Sequence, residues 1–110
     1  KLDVPNDHVV KMAQFFAEGG FNIVIFSGRS DKTIHTTRSW LTHNRIPFHK
    51  LVMRDSVTSH FVPDDILKKD MLDKHLDIDD VFFVVDDRQK VVDMWRSLGL
   101  KVFQVDEGNF

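Results

Sequence analysis

Cysteine is absent from this chain, so disulfide frameworks, thiolate zinc sites and cysteine nucleophiles are all excluded. A surplus of positive charge is also missing. Fifteen Lys and Arg face 17 Asp and Glu, a formal net charge of −2, which argues against a general nucleic-acid coat or a polybasic membrane binder. A small basic pocket stays open, because it needs only two or three local cations. No apolar run approaches the roughly 20 residues of a membrane span, and nothing resembles a signal peptide. Internal repeats, low-complexity stretches and linkers are lacking as well. What remains is 110 residues, 42% apolar and 29% charged, an ordinary globular composition read as one domain over 1–110. A soluble, cytoplasmic protein without a membrane partner is expected. The first residue is Lys rather than Met, which suggests a processed product or a fragment.

Apolar runs alternate with helix-period segments from end to end. After Pro5, the residues Val9, Val10, Met12, Ala13, Phe15 and Phe16 have helical spacing that stops at Gly19-Gly20. Phe21 to Phe26 reads as a strand buried on both faces and runs into Ser27-Gly28-Arg29-Ser30. A second helix is expected over Thr33–His43, with Ile34, Trp40 and Leu41 inward, Asn44 closing it in a left-handed conformation, and Pro47 barring continuation. Phe48–Met53 reads as a strand, followed by a polar loop over Arg54–Val62. Pro63-Asp64-Asp65 is a helix start, since proline suits the first turn and carboxylates suit the positive end of the helix dipole. That helix is expected to reach about His75. Asp77-Ile78-Asp79-Asp80 reads as a turn, Val81–Val85 as a strand, and Lys101–Val105 as a last short strand. Between the last two lies a helix with Val91, Val92, Met94, Trp95 and Leu98 inward and Gly99 past its end.

Strand–helix–strand alternation with short connections predicts a three-layer α/β fold with a parallel sheet. Ligands of such sheets sit beyond the carboxyl ends of the strands. Ser27-Gly28-Arg29, Arg54 and Asp86-Asp87 all fall at such ends. Adjacent carboxylates at a strand mouth repel one another and suit Mg²⁺, although they could equally be a solvated loop capping the next helix. Ser27-Gly28-Arg29 could offer amides, a hydroxyl and a guanidinium to an anion, or be an ordinary turn. Lys68 matters only if it, rather than Lys69, points inward, and periodicity leaves that choice open. The six histidines (8, 35, 43, 49, 60 and 75) show no metal-ligand spacing and read as surface residues. Trp40 and Trp95 read as core.

Taken together, the segments Phe26-Ser27-Gly28-Arg29, Thr37-Arg38-Ser39-Trp40, Leu51-Val52-Met53-Arg54, Pro63 to Lys68, Val85-Asp86-Asp87-Arg88, Val91 to Arg96 and Gln104 to Phe110 resemble the haloacid dehalogenase (HAD) superfamily of Mg²⁺-dependent phosphatases. More narrowly, they are similar to the 3′-phosphatase domain of phage-type polynucleotide kinase–phosphatase. The resemblance implies a HAD-like, Rossmannoid fold and removal of a terminal 3′ phosphate from nucleic acid through an aspartyl-phosphate intermediate. In that reading Ser27 bonds the phosphoryl oxygens, Gly28 and Arg29 lie beside it, and Lys68 balances charge between nucleophile and phosphate. Asp86 and Asp87 serve Mg²⁺, and Arg54 and Arg38 touch the nucleic acid. An attached kinase or ligase domain is an implied partner, and a phage-encoded version would act in the host cytoplasm.

One feature of the family is missing. Its nucleophile and general acid are two aspartates of a DxDxT motif, which does not occur in these 110 residues. The resemblance places it upstream of residue 1, on a strand lying centrally between the one ending at Ser27 and the one ending at Asp86. The sequence is therefore expected to be part of a longer chain, with two separate strand pairs. Phe61-Val62 also stands where relatives carry a basic residue. Alternative readings are a phosphatase of nucleotides or other small phosphoesters, and a non-catalytic module binding phosphorylated ends if the chain begins at Lys1. A receiver domain fits less well, because its acidic pair would follow the first strand.

Overall fold

The computed structural model describes residues 6–108. Pro5 and the tail residues Asn109 and Phe110 lie outside the described residues. The elements alternate as expected: α1 (Asp7–Glu18), β1 (Val24–Ser30), α2 (Ile34–His43), β2 (Lys50–Arg54), α3 (Asp64–His75), β3 (Val84–Asp86), α4 (Gln89–Ser97) and β4 (Val102–Gln104). They divide into two compact units, residues 1–60 and 61–110. Among the described residues no helix is long and apolar enough to cross a membrane.

In the first unit β1 and β2 pair in parallel, from Val24 opposite Lys50 to Ser27 opposite Met53. The register then slips, so that Ser30 rather than Gly28 faces Arg54. The expected loop at Ser27-Gly28-Arg29 is thus an irregular continuation of the strand. Asn6 starts α1, its side chain accepting hydrogen bonds from the amides of His8 and Val9. Val10, Leu41, Val52 and Thr37 are buried in this unit.

In the second unit β3 and β4 pair in parallel over Val84–Asp86 and Val102–Gln104. The expected strand over Val81–Val85 shrinks to its last part and moves on to Asp86, because its short partner offers amides and carbonyls to three residues only. The amphipathic helices α3 and α4 pack together, and α4 lies on both strands. Their buried stripe holds Leu67, Met71, Leu72, Val91, Val92 and Trp95. Met94 and Leu98, expected inward, are half-buried, as are Ile34 and Trp40 on α2.

β1 is half-buried along its whole length, as is β3, rather than buried on both faces. Each strand pairs with one neighbour only among the described residues, so two two-stranded parallel sheets form. Burial on both faces normally comes to a parallel strand from helices covering an extended sheet. The acidic run before β3 is a 3₁₀ turn over Ile78–Asp80, opened by the Asp77 carboxylate accepting from the Asp79 amide at 3.0 Å.

Three helices end in the same way. After α1, the Gly20 amide donates to Ala17 and that of Phe21 to Phe16, while Gly20 takes a φ of 94°. The Phe16 and Phe21 rings meet edge to face across this cap. Gly99 does the same after α4, at a φ of 86°. After α2 the left-handed position is Arg45, at a φ of 58°, not Asn44. Asn44 stays near φ −89° and donates its side-chain amide to the Trp40 carbonyl at 2.8 Å. The motif puts its left-handed residue one step beyond the cap, so the Arg side chain bears the steric cost.

Arg45→Gly should therefore stabilise the protein by about 0.5–1 kcal/mol, the relief of left-handed strain less the extra chain entropy of glycine. A rise in thermal midpoint of a few degrees is the expected reading; a fall would show that the Arg45 side chain holds the turn.

Candidate active site

Asp86 closes β3, directly after the apolar pair Val84-Val85. Its carboxylate is only 11% exposed and gathers three donors. The Trp95 indole Nε1 donates to Oδ2 at 3.2 Å, and the Asp87 amide donates to Oδ1 at 2.9 Å. The Lys68 Nζ stands 3.7 Å from Oδ2, with its own side chain 14% exposed.

The choice between the two lysines follows from the helix itself. On α3, Lys69 pairs with Asp73 at 2.7 Å and Lys74 with Asp70 at 3.0 Å, four residues apart along the exposed face. Lys68 shares the opposite stripe with Leu67, Met71 and Leu72. Spacing alone leaves the choice open, because Asp64 stands four residues before Lys68 just as Asp65 does before Lys69. Trp95 is buried in the core, as its spacing predicts, but its link to Asp86 escapes a reading of the sequence. A buried indole N–H needs an acceptor, which is the available signal.

Two further ion pairs tie the start of α3 to the start of α4: Arg88 with Asp64 at 3.1 Å and Lys90 with Asp65 at 3.5 Å. Asp87 differs from Asp86. It is exposed, and its carboxylate has no hydrogen-bond or ionic partner among the described residues, though its carbonyl accepts from Gln104.

The other candidate residues belong to the first unit. The Ser27 hydroxyl oxygen accepts from the Arg29 amide at 3.1 Å, which leaves the hydroxyl proton for another acceptor. The Nε of Arg29 is buried with no hydrogen-bond partner among the described residues. Arg54 donates from Nε to the Gly28 carbonyl at 2.8 Å and from an Nη to the Ser59 carbonyl at 2.7 Å. It ties the irregular end of β1 to the loop that follows β2. Arg38 is exposed on α2, without a hydrogen bond or ion pair among the described residues. Its neighbour Thr37 is buried, and the Thr37 hydroxyl lacks a hydrogen-bond partner among the described residues. All six histidines are exposed, and no group of three or more metal-binding side chains occurs among the described residues. One histidine acts structurally, since His49 Nδ1 accepts from the Ile23 amide at 2.8 Å, next to a backbone bond in the other direction.

The parallel α/β architecture is that of a HAD-like domain. The chain belongs to the polynucleotide kinase PNKP phosphatase domain family, whose model matches residues 1–110. It is similar to a chain in a solved Pnkp1/Rnl/Hen1 complex, with 34% identity over 98% of its residues and a TM-score of 0.90. A second solved structure, of the Pnkp1/Rnl/Hen1 RNA repair complex, matches all of the chain at 36% identity and a TM-score of 0.82. The chain spans 38% and 34% of the length of those two relatives.

Trp95→Phe keeps the ring in the core and removes the donor to Asp86. The loss should be about 1.5–3 kcal/mol, the usual worth of a hydrogen bond to a charged group. Chemical denaturation measures it; an unchanged midpoint would mean the indole bond contributes nothing.

Proposed function

We propose that this chain is phosphatase machinery of a polynucleotide kinase/phosphatase, removing a terminal 3′ phosphate from nucleic acid in a Mg²⁺-dependent reaction. The observation that carries the reading is the largely shielded Lys68–Asp86 pair at the end of β3, in a chain whose every residue falls within the family match. Membership brings a division of labour for these side chains. The ester P–O bond breaks as the phosphoryl group passes to an aspartate, and water then releases inorganic phosphate. The 110 residues contain no DxDxT motif to provide that aspartate, and the family resemblance assigns it to a strand upstream.

Lys68 neutralises charge as phosphate nears a carboxylate, a preorganised electrostatic role that needs a fixed ammonium rather than a mobile one. Its burial and its pairing supply that fixity. The Ser27 hydroxyl donates to a phosphoryl oxygen, and the Arg29 guanidinium accompanies it; the unpartnered Nε supports an anionic ligand there.

Asp86 and Asp87 are the residues that would hold Mg²⁺. The donor chemistry fits, because Mg²⁺ takes one or two carboxylates and completes its shell with water and phosphate. Asp87 is the side chain with oxygens to spare. When bound, the ion screens the charge of the phosphate. The relatives' presence in an RNA repair complex supports a nucleic-acid substrate and a ligase partner for this chain too.

The test uses the full natural chain and a 3′-phosphorylated oligonucleotide. Lys68→Ala should lower phosphate release about 10²–10³-fold, the scale of losing one preorganised electrostatic contact. Because Lys68 also balances a buried charge, Asp87→Asn is the companion variant: its exposed carboxylate is not part of the packing. It should raise the Mg²⁺ needed for half-maximal rate while leaving the thermal midpoint unchanged. Wild-type rates in both variants would overturn the assignment.

A further inference from the structure

β1 advances three residues, from Ser27 to Ser30, where β2 advances one, from Met53 to Arg54. Gly28 and Arg29 therefore have no opposite residue on β2. An irregularity of this kind re-aims side chains and takes backbone groups out of the ladder. The groups re-aimed here are the Ser27 hydroxyl and the Arg29 guanidinium, the two anion contacts of the proposed reaction. Within the slip, the Ser27 hydroxyl oxygen accepts from the Arg29 amide at 3.1 Å. The direction of that hydroxyl thus depends on how the peptide between Gly28 and Arg29 is turned.

Arg54 holds the other edge of the same peptide. Its Nε donates to the Gly28 carbonyl at 2.8 Å. The Gly28 carbonyl and the Arg29 amide belong to one planar unit, so fixing the first fixes the second. A chain of contacts therefore runs from the Arg54 guanidinium, through one rigid plane, to the Ser27 oxygen.

That guanidinium is itself anchored. One Nη donates to the Ser59 carbonyl at 2.7 Å. Ser59 ends a turn in which Asp55 Oδ1 accepts from the amides of Val57 and Thr58, at 2.8 and 3.1 Å. The Ser59 amide in turn donates to the Asp55 carbonyl at 3.0 Å. A longer tie, at 3.3 Å, runs from the Ser56 amide to the Asp31 carboxylate just past β1. Every one of these residues lies in the first unit. A planar fork meets two carbonyls with nitrogens in fixed geometry, which a single ammonium nitrogen does not reproduce. Both of these Arg54 donors are aimed at the protein's own backbone, whereas the buried Arg29 Nε has no hydrogen-bond partner among the described residues.

We propose that Arg54 is a positioning residue of phosphoryl transfer. It holds the Gly28-Arg29 peptide and so aims the Ser27 hydroxyl and the Arg29 side chain, rather than touching the nucleic acid itself. This rests on the reading under Proposed function. The experiment compares wild type with Arg54→Lys, which keeps the positive charge but loses the fork, in the full natural chain. Turnover of p-nitrophenyl phosphate and of a 3′-phosphorylated oligonucleotide should fall by the same factor, about 10–10²-fold, the scale of a small misplacement of reacting groups. Oligonucleotide affinity, read by fluorescence polarisation, should stay unchanged. Amide hydrogen exchange should quicken at Arg29 while Ile25 and Phe26 keep their wild-type rates. Weaker oligonucleotide affinity with wild-type turnover of p-nitrophenyl phosphate overturns the role and makes Arg54 a direct substrate contact. Faster exchange at Ile25 and Phe26 as well overturns it, as a general loss of structure in β1. Wild-type turnover of both substrates by Arg54→Lys overturns it outright. Absence of phosphate release from either substrate by wild type refutes the phosphatase reading, while the exchange rate at Arg29 still decides whether Arg54 holds the peptide.

Discussion

A carboxylate largely withdrawn from water must be compensated, and Asp86, its side chain 11% exposed, sets the terms for everything packed around it. One indole N–H, one ammonium and one backbone amide surround its two oxygens. Each donor comes from a different part of the second unit: α4, α3 and the turn after β3. Supplying them fixes how both helices approach the end of the strand. The apolar stripe of Leu67, Leu72, Val91 and Val92 provides the burial energy for that packing. The polar cluster at one end fixes its register. Burying an ion pair rarely adds stability over apolar packing of the same shape, whereas removing one partner is expensive. The arrangement is accordingly better understood as holding a charged group ready than as a device for stability.

The two carboxylates after β3 divide the work. Asp86 has its oxygens occupied by donors and is inseparable from the fold, while Asp87 is exposed and has its carboxylate unspent. The same division runs through the first unit. Arg54, a candidate for substrate contact, commits two donors to the carbonyls of Gly28 and Ser59. Arg29 has a buried Nε with no hydrogen-bond partner among the described residues. Groups already satisfied shape the loops, and groups left unsatisfied are where a ligand gains most.

Much of this is legible in the residues. Periodicity and breakers define four helices close to their observed bounds, and Pro63 with two acids marks the start of α3. The parallel pairing follows from the alternation. Strand limits are less legible, because a strand ends where its partner ends, and Val81 to Phe83 look as strand-like in sequence as Val84 and Val85 do. The half-burial of β1 has the same origin: it depends on what neighbours the strand, not on its own side chains. Asn44 misleads for a local reason, since the common left-handed residue stands one place before the position that needs it. Lys68 is not readable from spacing, because both it and Lys69 have an aspartate four residues away and packing makes the choice. The Trp95–Asp86 bond joins residues nine apart through the packing of α4 on β3, which no local pattern encodes.

The proposed metal-assisted phosphoryl transfer at the end of β3 requires that Asp86 and Asp87 take up a divalent ion, which a capped turn would not do. The most direct test is Mn²⁺, used as a stand-in for Mg²⁺, titrated into the full natural chain and followed by the electron paramagnetic resonance signal of the free ion. Wild type should take up one Mn²⁺ that Mg²⁺ displaces, and Asp87→Asn, whose packing is unaltered, should bind it at least tenfold more weakly. Equal uptake by the two proteins would place the metal elsewhere and contradict the account.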